Sequence, residues 1–294
     1  MKEGPMKKLK LIFALGAALA LVLFALAGCG SSSSSSSAST AASGSASASA
    51  SGSAEAKFTL VLGFDAGFKP YGYIDDDGNY TGVDIDLAKE VCERNGWELQ
   101  LEPIDWDAKD ALINAGTITC IWNGFTITDV RRENYEFTEP YMRNAQVVVV
   151  KAGSEVTTLS DLAGKHVMTQ TESAGLEVLT DEEGDYAEIA KTFAGGQPET
   201  LGDYNNIFMQ LESGAVDAVV CDLSVAKDHM AANPDAFVIV EELNAESFGV
   251  GFKKGETELA QTVNDTLRAM YEDGTVEKIL ANYETVSMEN WLLK

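Results

Sequence analysis

Two residues of opposite charge are placed where they could hold a small charged molecule. Arg131 closes the string Thr126-Ile127-Thr128-Asp129-Val130-Arg131, and Asp222 ends the apolar run Ala218-Val219-Val220-Cys221. A guanidinium is planar, stays protonated and can grip a carboxylate with two parallel hydrogen bonds. A carboxylate at the carboxyl end of a strand can receive an ammonium, and open α/β sheets place their ligands at that end. Together they suit a zwitterion, whose two charges cost several kcal/mol to bury without partners. Each residue also has a plainer reading. Arg131 could be a solvated helix arginine, and Asp222 could cap a helix that starts at Ser224.

Other chemistries are poorly supplied. The chain has no Gly-Lys-Ser phosphate loop, nucleotide fingerprint or Gly-x-Ser-x-Gly elbow. Two histidines and four cysteines among 294 residues cannot build a ligand-rich metal cluster, so neither metal nor cofactor is expected. Asp65 and Glu172 could face each other as acid and base, but carboxylates in so acidic a chain are mostly solvated. With 46 Asp plus Glu against 21 Lys plus Arg, the net charge is −25. That argues against nucleic acid as a partner and against docking on anionic lipid through a basic face.

Hydrophobic residues make up 45% of the sequence, enough for one large domain or two medium ones. From Lys57 onward, short apolar runs alternate with helical periods. Strands are predicted over Phe58–Gly63, Glu98–Leu101, Ile118–Trp122, Val147–Val150, Val167–Gln170, Ile189–Phe193, Ala218–Cys221, Phe237–Val240 and Phe248–Phe252. Helices are predicted from an Asp84 cap to Gly96, from Asp105 to Gly116, over Leu159–Ala163, from Ser173, over Asp203–Glu212, from Ser224 and from Glu256. This alternation implies mostly parallel sheets covered by helices on both faces.

The first residues have a different character. Lys7, Lys8 and Lys10 precede the uncharged apolar run Leu11–Leu26, which is short for a membrane span and suits an export signal. The run ends in Leu26-Ala27-Gly28-Cys29, which resembles the lipobox of bacterial lipoproteins. That resemblance implies cleavage of residues 1–28 and acylation of Cys29, and several acyl chains anchor a protein stably. Gly30–Ala54 holds only Ser, Ala, Gly and Thr, so residues 29–54 read as a flexible tether reaching about 25–30 Å.

Several strings in the body resemble the polar amino-acid-binding proteins of ABC importers, solute-binding protein family 3. They begin with Phe64-Asp65-Ala66-Gly67-Phe68-Lys69-Pro70-Tyr71 and Asp77-Gly78-Asn79-Tyr80-Thr81-Gly82-Val83-Asp84-Ile85-Asp86-Leu87-Ala88. They continue through Gly124–Arg131, Phe137-Thr138-Glu139-Pro140-Tyr141, Thr158–Lys165, Gly214–Asp222 and Asp273-Gly274-Thr275. Any one string is weak; their order and spacing together are specific. The resemblance implies a two-lobe α/β fold of the type II periplasmic-binding-protein kind, with the ligand shut between lobes. Residues 55–143 and 249–294 would form one lobe and residues 144–248 the other.

The resemblance also implies roles for individual residues. Arg131 would take the ligand's α-carboxylate and Asp222 its ammonium, with the Thr126 hydroxyl and the neighbouring backbone at Gly124 and Phe125 completing the carboxylate or ammonium shell. Phe68 and Trp106 would sandwich the side chain, and Asp65 could meet its tip. Departures from the family pattern fall at Asn123, Val130, Gln170 and Thr171-Glu172-Ser173-Ala174, and imply retuned side-chain selectivity. Ser173 keeps a hydroxyl that can reach the carboxylate, whereas Ala174 has none. The implied partners are a free amino acid, a permease and its ATPase, with the protein a lipid-anchored monomer on the extracytoplasmic face of the membrane. The alternatives are an exported dehydratase-like enzyme of the same fold and a ligand-sensing surface protein. Once Cys29 is acylated, Cys92, Cys120 and Cys221 remain, expected as buried free thiols.

Overall fold

The computed structural model describes residues 57–294. The export signal, Cys29 and the tether lie outside the described residues. The chain first builds β1 (Thr59–Phe64), a small antiparallel sheet of β2 (Gly67–Phe68), β3 (Gly72–Ile74) and β4 (Tyr80–Thr81), and helix α1 (Val83–Asn95). Next come β5 (Glu98–Pro103), α2 (Lys109–Ala115), β6 (Cys120–Ile121), α3 (Asp129–Asn134) and β7 (Tyr135–Phe137). The long strand β8 (Met142–Lys151) starts a second body containing β9 (Val167–Gln170), α4 (Ala174–Thr180), α5 (Ala187–Ala190), β10 (Glu199–Leu201), α6 (Tyr204–Ser213), β11 (Ala218–Asp222), α7 (Leu223–Ala232) and β12 (Phe237–Phe248). The chain then returns through β13 (Gly251–Lys253) to α8 (Thr257–Glu272) and α9 (Thr275–Leu280).

Two five-stranded sheets result, ordered β5-β1-β6-β13-β7 and β10-β9-β11-β8-β12. In each, four strands run one way and the next-to-last strand opposes them, β13 in the first sheet and β8 in the second. Both opposing strands follow a crossing from the other sheet. The crossings meet where Phe248 pairs with Met142, and where an isolated bridge joins Thr126 to Phe248. Helices cover the sheets with narrow apolar faces: α1 buries Val83, Ile85, Leu87, Ala88 and Val91, and α8 buries Ala260, Val263, Leu267 and Met270. Cys92, Cys120 and Cys221 are buried free thiols. None of the described helices is long and apolar enough to cross a membrane.

Several expectations need correction. Residues 187–190, and not a strand over Ile189–Phe193, form the short helix α5; Ile189 and Phe193 sit four apart, which is helical spacing. The edge strand there is β10, whose largely exposed Glu199-Thr200-Leu201 carries no apolar signal. Asp84 does not cap α1. The cap position is Gly82, and Asp84 lies inside the first turn, fully buried. Phe237–Val240 is the start of a strand that runs on to Phe248, because β8 offers it a full-length antiparallel partner. The strand predicted over Phe248–Phe252 is interrupted at Gly249-Val250 and resumes as β13.

Candidate functional site

The loop ends of the two sheets meet around one small cavity. Phe68, Trp106, Asn123, Gly124, Thr126 and Arg131 line it from the first body; Gln170, Ser173, Ala174 and Asp222 line it from the second. The open space between them is only about 10 Å³, room for about one water, so these walls stand nearly in contact and must part to admit a molecule of amino-acid size.

Arg131 is not a surface arginine. Thr128 caps α3 by accepting the Arg131 backbone N–H at 3.1 Å, which fixes where the side chain leaves the helix. The guanidinium stands 4.8 Å from the Phe125 ring centre and is buried. It donates to the Thr126 carbonyl at 3.1 Å and, across the cleft, to the Glu172 carbonyl at 3.2 Å. Its Nε lies 3.7 Å from a Glu177 carboxylate oxygen. Burial pulls the Arg131 pKa down while Glu177, Glu246 and Asp222 push it up. A guanidinium this short of ionised partners has capacity left for an anion.

Asp222 occupies the N-cap position of α7, but its side chain caps nothing. One carboxylate oxygen accepts from Asn144 Nδ2 at 2.8 Å and Gln146 Nε2 at 3.1 Å. Burial, then the nearby Glu246 carboxylate, hold its pKa well above the usual carboxylate range, against the pull of Arg131. Glu246 accepts from the same two amides at 2.7 and 3.0 Å, and from Thr126 Oγ1 at 2.9 Å. An acid of this kind, lining a cavity opposite a guanidinium, is ready for a cation.

The remaining predicted residues divide by position. Gly124 has φ 56°, and a Cβ there would stand 2.7 Å from Phe68 Cε1, so the loop passes too close to the ring for any side chain. Asn123 accepts the Asp65 N–H at 2.8 Å, while its Nδ2 has no partner among the described residues. Ser173 caps α4 by accepting the Leu176 N–H at 3.1 Å, and lies 3.1 Å from Thr169 Oγ1. Gln170 reaches across the cleft to Asp65 at 2.7 Å and also donates to the Gly202 carbonyl at 2.8 Å. Trp106 Nε1 donates to the Glu172 carbonyl at 3.2 Å.

Phe125 and Asp65 do not line this cavity, and neither do Val130, Thr171 and Glu172 among the departures from the family pattern. Phe125 is fully buried beneath Arg131, as a platform for the guanidinium. Asp65 has both oxygens engaged, by the Gly67 N–H and by Gln170, and lines an outer recess with Asp105 and Asp203. Burial is the main force raising its pKa.

Sequence reasoning missed Asn144, Gln146 and Glu246. Asn144 and Gln146 are two apart on β8, so they share one face of a buried strand just before the Val147–Val150 run, and that polar pair was the available signal. Glu246 gives no local signal; the β8–β12 register brings it opposite Asn144. Glu172, weighed as an acid–base partner for Asp65 and as part of the Thr171–Ala174 departure, adopts φ 58° and supplies a backbone carbonyl to both Trp106 and Arg131. Lys109, on α2, points its nearly buried ammonium to within 3.8 Å of Glu172.

Comparison with known proteins places this architecture. A probable histidine-binding protein of Neisseria gonorrhoeae is 28% identical over 225 residues, covering 74% of this chain and 80% of the relative. The L-cystine-binding protein TcyJ of Escherichia coli is 27% identical, covering 75% and 80%. The structure of an ancestral arginine-binding protein bound to arginine superposes with a TM-score of 0.70 at 34% identity, over 78% of this chain and 99% of that one. The two-lobe, type II binding-protein fold is therefore established. Residues 60–286 match the model of the bacterial extracellular solute-binding proteins, family 3, and the chain belongs to that family of solute-binding proteins.

Proposed function

We propose that the protein captures a free polar amino acid between its two lobes and delivers it to an ABC importer, without chemical change to the ligand. The observation that carries this reading is that Arg131 and Asp222 line one cavity from opposite bodies. The ligand's α-carboxylate replaces the Glu172 carbonyl on Arg131, and its ammonium meets Asp222. Phe68 and Trp106 flank the side chain. The relatives named for histidine, cystine and arginine support an amino acid with a nitrogen-bearing or extended side chain. The acidic recess of Asp65, Asp105 and Asp203 beyond Gln170 favours a cationic tip over an anionic one. Residues 1–28 serve as the export signal, Cys29 carries the lipid anchor, and residues 29–54 tether a monomeric binding body outside the membrane.

A thermal-shift screen of the purified protein against the common amino acids tests this reading. The cognate ligand stabilises by about 2.7 kcal/mol at a hundredfold excess over Kd, and is recovered unchanged. Arg131→Ala weakens binding by about 2–5 kcal/mol, the range for stripping one partner from a buried charge pair. No shift with any amino acid, or less than a threefold loss in Arg131→Ala, overturns it.

A further inference from the structure

Two carboxylates compete for the same pair of amides beside the cavity. Asn144 Nδ2 lies 2.8 Å from Asp222 Oδ1 and 2.7 Å from Glu246 Oε1; Gln146 Nε2 lies 3.1 Å and 3.0 Å from the same two atoms. Glu246 also receives the Thr126 hydroxyl, so its Oε1 has three donors. Asp222 Oδ1 has only the two shared side-chain donors among the described residues, with a backbone N–H of its own residue beside its carboxylate. Two buried carboxylates that share their donors make each other's ionisation costlier.

The surroundings provide one shared cation. Arg131, on α3, acts on both acids, but Glu177 on α4 also draws on its charge. Tyr71, Tyr204 and Cys221 face Asp222 from the loop after β2, from α6 and from β11, and all three are neutral at physiological pH, their pKa values raised chiefly by burial. Asp129 and Asp181 line the outer recess beside Glu246 and add only negative charge. No lysine takes part in these contacts.

We infer that Glu246 makes ligand capture a proton exchange: Asp222 keeps a proton beside the Glu246 carboxylate while the cleft is empty, and surrenders it when an ammonium arrives. The ligand enters as its zwitterion, the Asp222 O–H bond breaks, the carboxylate pairs with the ammonium, and the proton leaves to solvent. No bond within the ligand changes. Glu246 does not touch the ligand; it is a positioning residue that sets the protonation state of the group that does. The inference rests on the proposed pairing of Asp222 with a ligand ammonium. It adds a consequence that pairing alone lacks, because capture then weakens on acidification although the ligand's own charges are constant.

Titration calorimetry on the whole protein, in buffers of different ionisation enthalpy between pH 4.5 and 7.5, counts the protons released. The probe is L-arginine, whose guanidinium and ammonium stay charged across that range, or the amino acid that most raises the melting temperature if arginine does not bind. Wild type should release close to one proton per ligand over part of that range, and affinity there should rise about tenfold per pH unit. Glu246→Gln should still bind, releasing fewer protons than wild type at each pH and with the pH dependence moved to lower pH, because burial continues to favour the protonated acid. Ligand binding without proton release by wild type overturns the inference while leaving the function reading intact. Equal release by Glu246→Gln also overturns it, since burial alone would then hold the proton. If Glu246→Gln does not fold, the wild-type proton count decides alone. If no amino acid produces heat, the function reading itself fails, and the exchange fails with it.

Discussion

Asp84 holds Gly124 in place: its Oδ2 accepts the Gly124 N–H at 2.6 Å, from a side chain with no exposure to solvent. The Tyr141 hydroxyl reaches both oxygens of the same carboxylate, at 2.7 and 2.8 Å. A buried acid in the first turn of α1 thus fixes the loop that carries Asn123, Gly124 and Thr126 to the cavity. Burial pushes its pKa up to about 7, even though both hydrogen-bonding partners favour the charged form.

The sign of this shift makes a pH prediction. Between the unfolded value of 3.8 and about 7, the folded state binds more protons than the unfolded one, so stability falls as pH rises through that window. The full difference is of the order of 4 kcal/mol at about 1.4 kcal/mol per unit. Asp222 and Asp65, also raised, contribute with the same sign, whereas His229, held down to about 4 chiefly by burial, contributes with the opposite sign between about pH 4 and 6.5. The test is therefore the difference between two proteins: from pH 4.5 to pH 7.5 the melting temperature of wild type should fall relative to that of Asp84→Asn. A difference that stays constant or grows in favour of wild type over this range contradicts the assignment.

Gly124→Ala tests the close approach directly. The added Cβ would meet Phe68 at 2.7 Å and Phe248 at 3.2 Å, on a backbone with φ 56° that side chains adopt at a cost. Relief requires Phe68 to move away from the cavity it lines. The expected outcome is a stability loss of about 1–3 kcal/mol and at least a tenfold loss of ligand affinity. Unfolding in urea and calorimetry read the two separately. Wild-type affinity in the variant would mean that the ring has no part in binding.

Glu172 is the only non-glycine residue at positive φ among the described residues. Its side chain is half-exposed and 3.8 Å from Lys109, an ion pair worth at most about 1 kcal/mol. Comparing Glu172→Ala with Glu172→Gly removes that pair from both variants and leaves the backbone as the difference. Glycine should be the more stable of the two by about 1 kcal/mol, because it reaches the left-handed region without strain. Equal stabilities would mean that the turn relaxes once the pair is gone.

Much of the fold could be read locally. Gly96, Gly116 and Gly214 end their helices in the left-handed conformation, and Ser173 and Asp203 cap theirs through their side chains, as their sequence positions suggest. That Arg131 and Asp222 would come to one cavity was legible because a guanidinium in a Thr-Ile-Thr-Asp string and an acid ending an apolar run are local patterns. The parts that escaped depend on register. Asp84 finds Gly124 forty residues away, Glu246 meets Asn144 only through the β8–β12 ladder, and β10 is polar because an edge strand has no second layer to bury. No local pattern encodes such pairings.

The proposed capture between the lobes requires them to open and close, and the contacts that span the cleft set what holds them together. Gln170 donates to Asp65, Asn205 to the Gly67 carbonyl, and Trp106 and Arg131 both to the Glu172 carbonyl. Each such hydrogen bond contributes about 0.5–1.5 kcal/mol net, so a handful can hold the lobes together only marginally. On the proposed pairing, a ligand would satisfy Arg131 and Asp222 together only in the closed form, and such differential contact moves an equilibrium. Small-angle scattering should therefore report a smaller radius of gyration with the cognate amino acid, and Asp222→Ala should lose most of the change. If wild type is already compact when empty, Gln170→Ala, which removes the Asp65 contact, should open it, and ligand should restore the compact particle. A radius that ligand leaves unchanged in both wild type and Gln170→Ala would show that the two charged anchors do not act as a latch.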